Sequence, residues 1–269
     1  MVSHKKISVL DYTFAVGKIR ALEKFLIRPE VFAEAIASSL EEALRLFVES
    51  APYSDSLLRV KDSRQLELVL KQELAQLKQL LSVLILDKQL LGLVDEVSLG
   101  CIDKVLKAYP SEFLRDYLMH VIDMHNIKSF LRLYLLKEPP EKLNSSLISE
   151  GFIPRSVFGE FYTKDLAAFL NKLEYVHRRN QIIDYAYFLR EAVERIQRDN
   201  SFVRLEKAIN DFLIAGLAPA KFFTFGPEPL LAYYFARLNE MNLIRMIILA
   251  KLNSLPADLV KERLNAVYA

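Results

Sequence analysis

Few residues in this chain are spaced for chemistry. Nucleotide chemistry calls for a glycine loop whose backbone N–H groups cradle phosphates, and for a lysine that reaches them. The Gly-Lys pair Gly17-Lys18 has no glycine five residues upstream, is followed by Ile19, and lies inside an amphipathic helical pattern. No phosphate loop is read there. Glu174 and His177 have the i, i+3 spacing that di-iron helical bundles use, but a second such pair with inward carboxylates is missing. His120 and His125 are five apart, about 140° around a helix, and cannot share one metal from it. Asp123 beside His120 reads as a local hydrogen-bond pair. The single cysteine, Cys101, excludes an intrachain disulfide and a multi-cysteine zinc site. Between Gly100 and Ile102 it reads as a small buried hydrophobe. The expectation is a protein with no catalytic residue, no metal and no cofactor.

Charge excludes further classes. A net charge of +2 is too small for the strongly basic face that nucleic acid requires. Arg178, Arg179, Arg190, Arg195 and Arg198 crowd one stretch, but Glu174, Asp184, Glu191 and Glu194 interleave with them. That mixture reads as a solvated helix face laced with i, i+4 pairs. No segment combines a basic face with an exposed aromatic one, so attachment to a lipid surface is not expected. No apolar run approaches the ~18 residues of a membrane span; Leu243 to Leu252 is broken by Arg245 and Lys251. The start, Met1 to Lys6, has charge but no apolar core of a secretory signal. A soluble, cytoplasmic protein is expected.

Helices must position whatever these residues do. Leu70, Leu74, Leu77, Leu81 and Leu84 recur at steps of four and three, which predicts one stripe of a long helix from Ser63 to about Leu91, with Lys71, Glu73, Gln76 and Lys78 off it. Asp62 or Ser63 caps it, and Ser38-Ser39-Leu40-Glu41-Glu42 offers overlapping capping boxes for another. Pro29, Pro52, Pro110, Pro139, Pro140, Pro154, Pro219, Pro227 and Pro256 mark helix ends and starts. Alternating strand patterns are essentially missing and glycine is scarce, at 7. The fold class is therefore all-α. Two helices, from about Ser111 to Lys137 and from Pro227 to about Leu252, are apolar on more than one side and belong in the middle of their surroundings. Tyr117, Val121, Met124, Leu131 and Leu135 line one side of the first, and Ile122, Phe130 and Leu133 another. The two helices also align with each other, Tyr117 to Ile127 over Tyr233 to Leu243, and on to Pro140 over Pro256 and Leu143 over Leu259. An internal duplication is read, each unit being a long central helix, a proline and a shorter helix. The chain is read as one continuous helical body, with a soft boundary between helical units over residues 1–154 and 155–269.

Three segments carry a resemblance. The C-terminal run Phe225-Gly226-Pro227-Glu228-Pro229, continuing through Tyr233, Tyr234, Arg237, Glu240 and Arg245 to Pro256, resembles the end of the V/A-type ATPase C subunits, prokaryotic relatives of the eukaryotic d subunit. Leu10 to Glu23 is similar to the opening helix of that family, and Tyr53 stands where it often has a tyrosine. Asp123 to Arg132, followed by Gly151-Phe152-Ile153-Pro154, resembles its recurring internal unit. The resemblance implies a funnel-like bundle of repeated helical units. Two clear copies and a compressed stretch between Ser156 and Asn200 leave this chain one unit fewer, or one compressed, against the family's three.

It also implies a job. The family has no active site; it sits at the bottom of the central stalk, receives the shaft subunits and rests on the membrane proteolipid ring, peripheral at the cytoplasmic face. ATP hydrolysis or synthesis is thereby linked to proton or sodium transport. Asp123, Asn126, Arg132, Gly226, Pro227, Glu228, Glu240 and Arg245 are the expected structural or partner-contact residues. Pro227 should lie in the first turn of its helix, Glu228 should face the positive end of the helix dipole, and Glu240 and Arg245, five apart, should seek partners on other segments. A general helical-repeat scaffold that binds partner helices shares the composition without needing that C-terminal motif.

Overall fold

A computed structural model describes residues 8–95, 111–148 and 151–269. Cys101 lies outside the described residues. The chain forms two compact units, one from Met1–Val97 with Ile214–Ala269, the other from Ser98–Leu213. Both ends of the chain thus build one unit, a grouping different from the soft boundary at 154/155. The cause is the last long helix, which packs against helices from the first third of the sequence.

That first unit begins with a 3-10 turn at Val9–Tyr12, closed by a capping box between Ser8 and Asp11, and leads into α1 (Thr13–Glu23). Then follow α2 (Pro29–Ala37), started by its proline, and α3 (Leu40–Ser50), capped by Ser39 on the N–H of Glu42. Next come α4 (Ser63–Leu84) and α5 (Lys88–Asp95). Asp62 caps α4 by accepting the N–H of Gln65 at 2.8 Å. The helix stops at Leu84, short of the expected Leu91. Buried Tyr12 explains the break: its hydroxyl takes the N–H groups of Leu86 and Asp87, both at 3.2 Å. Leu70, Leu77, Leu81 and Leu84 are buried and Leu74 partly so, but Glu73 is buried too. It accepts the N–H of Ser54 at 2.8 Å, a partner that excuses its charge from solvent.

The second unit holds α6 (Glu112–Leu135), α7 (Pro140–Ser146), α8 (Arg155–Phe161), α9 (Leu166–Leu173), α10 (Ala186–Asp199) and most of α11 (Val203–Ala215). Between α9 and α10 a hairpin pairs β1 (Val176–Arg178) with β2 (Gln181–Ile183), Val176 opposite Ile183. Three residues per strand are too few for alternation to register in the sequence, so the hairpin escaped an all-α expectation that otherwise stands. Phe130 of α6 stacks on Phe169 of α9 at 4.0 Å, with Phe158 and Tyr162 around them. On α6 itself Tyr117, Met124 and Leu131 are buried, whereas Val121 and Leu135 are only partly covered.

The chain returns to the first unit as α12 (Glu228–Leu252) and α13 (Ala257–Arg263). Leu230, Leu231, Ala232, Tyr233 and Tyr234 are five consecutive buried residues. At 100° per residue they cover the whole circumference, so this opening part of α12 is enclosed, and α1, α2, α3 and α4 pack against the helix.

The two central helices end alike. After α6 the N–H of Glu138 bonds the carbonyl of Leu133 at 3.0 Å, past Lys137 at φ 53°. After α12 the N–H of Leu255 bonds the carbonyl of Ala250 at 2.8 Å, past Ser254 at φ 54°. Both are Schellman closures, and each leads within three residues to a proline that opens the short helix. This shared construction supports the duplication.

Candidate functional site

In the second unit the polar residues of α6 hold the segment that follows α7. Asp123 is fully buried; its carboxylate accepts the N–H groups of Phe152 at 3.0 Å and Ile153 at 3.1 Å. The Tyr185 hydroxyl joins it at 2.8 Å and lies 2.7 Å from His120 Nδ1. His120 and Asp123 are therefore linked through Tyr185 and make no direct pair. Burial pushes the Asp123 carboxyl up to about 7, against the pull of the Ile153 N–H, Tyr185 and the Phe152 N–H. Burial also pushes His120 down to about 4, with Arg178 adding to it, so the imidazole is neutral. A hydroxyl has one proton to give. When Asp123 is ionised, Tyr185 donates to it and His120 Nδ1–H donates to Tyr185. When Asp123 is protonated the chain can run the other way, with His120 in its second tautomer. Gly151 is part of this brace: a Cβ there would land on the Asp123 carboxylate and 2.8 Å from the Met119 carbonyl. One turn on, Asn126 accepts the N–H of Ile148 at 3.1 Å. Arg132 is not in the cluster. It is exposed, pairs with Glu206 at 2.5 Å and covers the Phe202 ring.

The other sequence candidates in this unit are dispersed. Glu174 ends α9 and pairs with Arg190, while His177 sits on β1, so their spacing is not that of one helix. Arg178 pairs with Asp116 and Arg179 with Glu112; of the arginine series Arg195–Asp199 is an i, i+4 pair. Among the described residues no three His, Cys, Asp or Glu side chains converge as metal ligands.

In the first unit the C-terminal motif braces the opening of the chain. Gly226 has φ 90°, a conformation open to glycine, and its N–H donates to the Val9 carbonyl at 3.2 Å. Arg20 of α1 binds Glu23 and reaches the carbonyls of Ala220 at 2.7 Å and Phe223 at 2.9 Å. Pro227 is the residue before α12, and Glu228 is its first helical residue, so the expected first-turn proline is Pro229. Glu228 is buried, with Oε2 lacking a hydrogen-bond partner. Glu240, 2% exposed, accepts the N–H of Ile27 at 2.5 Å and pairs with Arg237, 5% exposed, at 2.6 Å. The Arg237 guanidinium lies 4.3 Å from the centre of the buried Tyr53 ring. Burial pushes the Glu240 carboxyl up, although Arg237 and the Ile27 N–H favour its ionised form. Glu240 does reach another segment, as its spacing predicts. Arg245 does too, but at the surface: it forks onto Glu67 of α4 at 2.7 and 3.2 Å and onto Asn242 at 2.8 Å. The buried cation is Arg237. Its signal was present in the sequence, as an Arg-to-Glu i, i+3 spacing on a helix apolar on more than one side, where a lone buried charge would be costly.

Arg245 also borders a groove of about 510 Å³ between α4 and α12. Leu70, Leu74, Leu238 and Met241 supply its apolar lining, and Arg64, Glu67 and Lys71 its charged lining. Nothing in the groove or the braces has the form of an assembled nucleophile, base or phosphate cradle among the described residues. Buried Glu73, Asp123, Asn126 and Glu240 each accept backbone N–H groups.

Such a predominantly helical chain, with most of its buried polar residues on two long central helices, matches the ATP synthase (C/AC39) subunit family over residues 85–263, and it belongs to that family. It is similar to the C subunit of the V-type sodium ATPase from Enterococcus hirae, with 29% identity over 160 residues. The aligned stretch covers 60% of this chain and 45% of that relative, so the chain spans less than half of the relative's length. Both central helices fall within the family match, and α1 lies ahead of it. Among the described residues no helix is long and apolar enough to cross a membrane.

Proposed function

We propose that this protein is a non-catalytic central-stalk subunit of a V/A-type rotary ATPase, joining the rotating shaft to the membrane proteolipid ring. ATP hydrolysis or synthesis is thereby linked to proton or sodium movement, and the protein sits peripherally at the cytoplasmic face of the membrane. Membership of the (C/AC39) subunit family carries this reading. The braced central helices favour it. A part that transmits torque must resist deformation, and helices packed on more than one side and pinned by buried hydrogen bonds do so. Asp123, Asn126, Gly226 and Glu240 serve that stiffness, while exposed Arg132 and half-exposed Arg245 are the candidates for partner contact.

The coupling role is tested in membrane vesicles from a deletion strain, with and without the protein restored. The catalytic head should still hydrolyse ATP without it, whereas ATP-driven ion uptake should collapse. Normal uptake in its absence would overturn the role.

A further inference from the structure

We infer that the groove between α4 and α12 receives an acidic amphipathic helix of a partner protein. Leu68 is 54% exposed, and the walls below it are Leu70, Leu74, Leu238 and Met241. The lining positions 64, 67, 68, 71 and 74 advance along one face of α4 for ten residues, about 15 Å, which matches roughly three turns of a docked helix. Positions 238, 241, 242 and 245 form the facing stripe of α12 with the same period. Two parallel stripes with a leucine floor are what a third helix needs to seat its own apolar stripe.

Charge selects the occupant. Glu67 is taken up by Arg245. Arg64 and Lys71 flank the groove, and among the described residues neither has an ion-pair partner. With Glu67 and Arg245 cancelling, the rim is left with two unmatched cations. A helix with leucines along one face and carboxylates on its flanks complements both features, and a basic helix is repelled. The groove rests on the coupling role only for which complex supplies that helix, and its test uses the isolated chain, so the two fail separately.

A designed, fluorescently labelled helical peptide with leucines on one face and glutamates on the flanks is titrated with the purified full chain. Anisotropy should rise saturably, and the double variant Arg64→Glu/Lys71→Glu should bind about tenfold or more weakly. Both sites are exposed, so its thermal midpoint should match wild type. A second peptide with lysines in place of the glutamates should bind weakly to wild type and better to the double variant. No saturable binding, equal affinity for the two peptides, or indifference to the double variant overturns the proposal. So does sedimentation showing that wild type self-associates through these residues, which would make a second copy the occupant.

Discussion

At the scale of single residues, two buried acids do different work. Asp123 is neutralised by its surroundings more than by any cation. Its carboxyl titrates at 3.8 when free and at about 7 in the fold. A raised value means that this group's stabilising share is full below 3.8 and is lost as pH rises through 7. The loss is on the order of 4 kcal/mol at 1.36 kcal/mol per unit. Asn does not titrate, so Asp123→Asn should gain on wild type between pH 4 and pH 8; urea midpoints across that range measure the gap. A gap independent of pH would show that Asp123 ionises freely. His120 acts with the opposite sign: lowered from 6.5 to about 4, its share is present above 6.5 and lost as pH falls through 4. Wild type should therefore have a flatter profile than either group alone would produce. Glu240, by contrast, depends on Arg237. Arg237→Ala strands a buried carboxylate and should cost about 3–5 kcal/mol. Arg245→Ala removes a half-exposed pair and should cost at most about 1 kcal/mol. Thermal melts of the two variants side by side check this order, and equal losses would contradict it.

At the scale of elements, the glycines distinguish a helix that is merely built from one that must approach another chain segment. Gly151 stands against the carboxylate of α6 with no room for a methyl group. Gly151→Ala should cost about 1–3 kcal/mol or more, because either the brace opens or α6 shifts. Gly17, inside α1, has open space where a Cβ would go. Gly17→Ala should stabilise by roughly 0.5–1 kcal/mol through helix propensity and a less mobile unfolded chain. Opposite shifts in melting temperature are expected for the two, and a shared direction would show that Gly151 is not a close-approach position. A comparable anchor recurs on α12. Asp123 anchors the backbone of 152–153, and at the aligned position on α12 Asn239 donates to the Ala266 carbonyl at 2.9 Å. In each unit a polar residue midway along the central helix holds the segment beyond the following short helix.

At the scale of the molecule, the chain's ends meet in one unit while the middle builds the other. Residues 98–213 are contiguous and carry their own core, from Met124 and Phe130 to Leu189 and Ile209. Expressed alone, that fragment should show a helical circular dichroism spectrum and a cooperative melt. A coil spectrum would mean that its core depends on the rest of the chain. The complementary halves, residues 1–97 and 214–269, should each be unfolded when made separately. Helix α12 needs α1 to α4 to cover it, and those helices need α12.

What the sequence determined by itself was local. Spacing of leucines, caps such as Ser39 and Asp62, and prolines at the starts of α2, α7 and α13 specify helices because these signals act within a turn or two. Periodicity also marked α6 and α12 as central, since a helix apolar on more than one side has to be packed from more than one side. The tertiary structure decided the rest, for reasons of sequence distance. Tyr12 stops α4 from 74 residues away, and Glu240 holds Ile27 across 213. Glu73 looks like a surface charge until the backbone N–H of Ser54 that it accepts is in place. The brace at Asp123 was legible as two separated motifs, Asp123 to Arg132 and Gly151 to Pro154. That they meet, with Tyr185 between Asp123 and His120, follows only from packing, because hydrogen bonds across 29 to 65 residues leave no periodic trace in one chain.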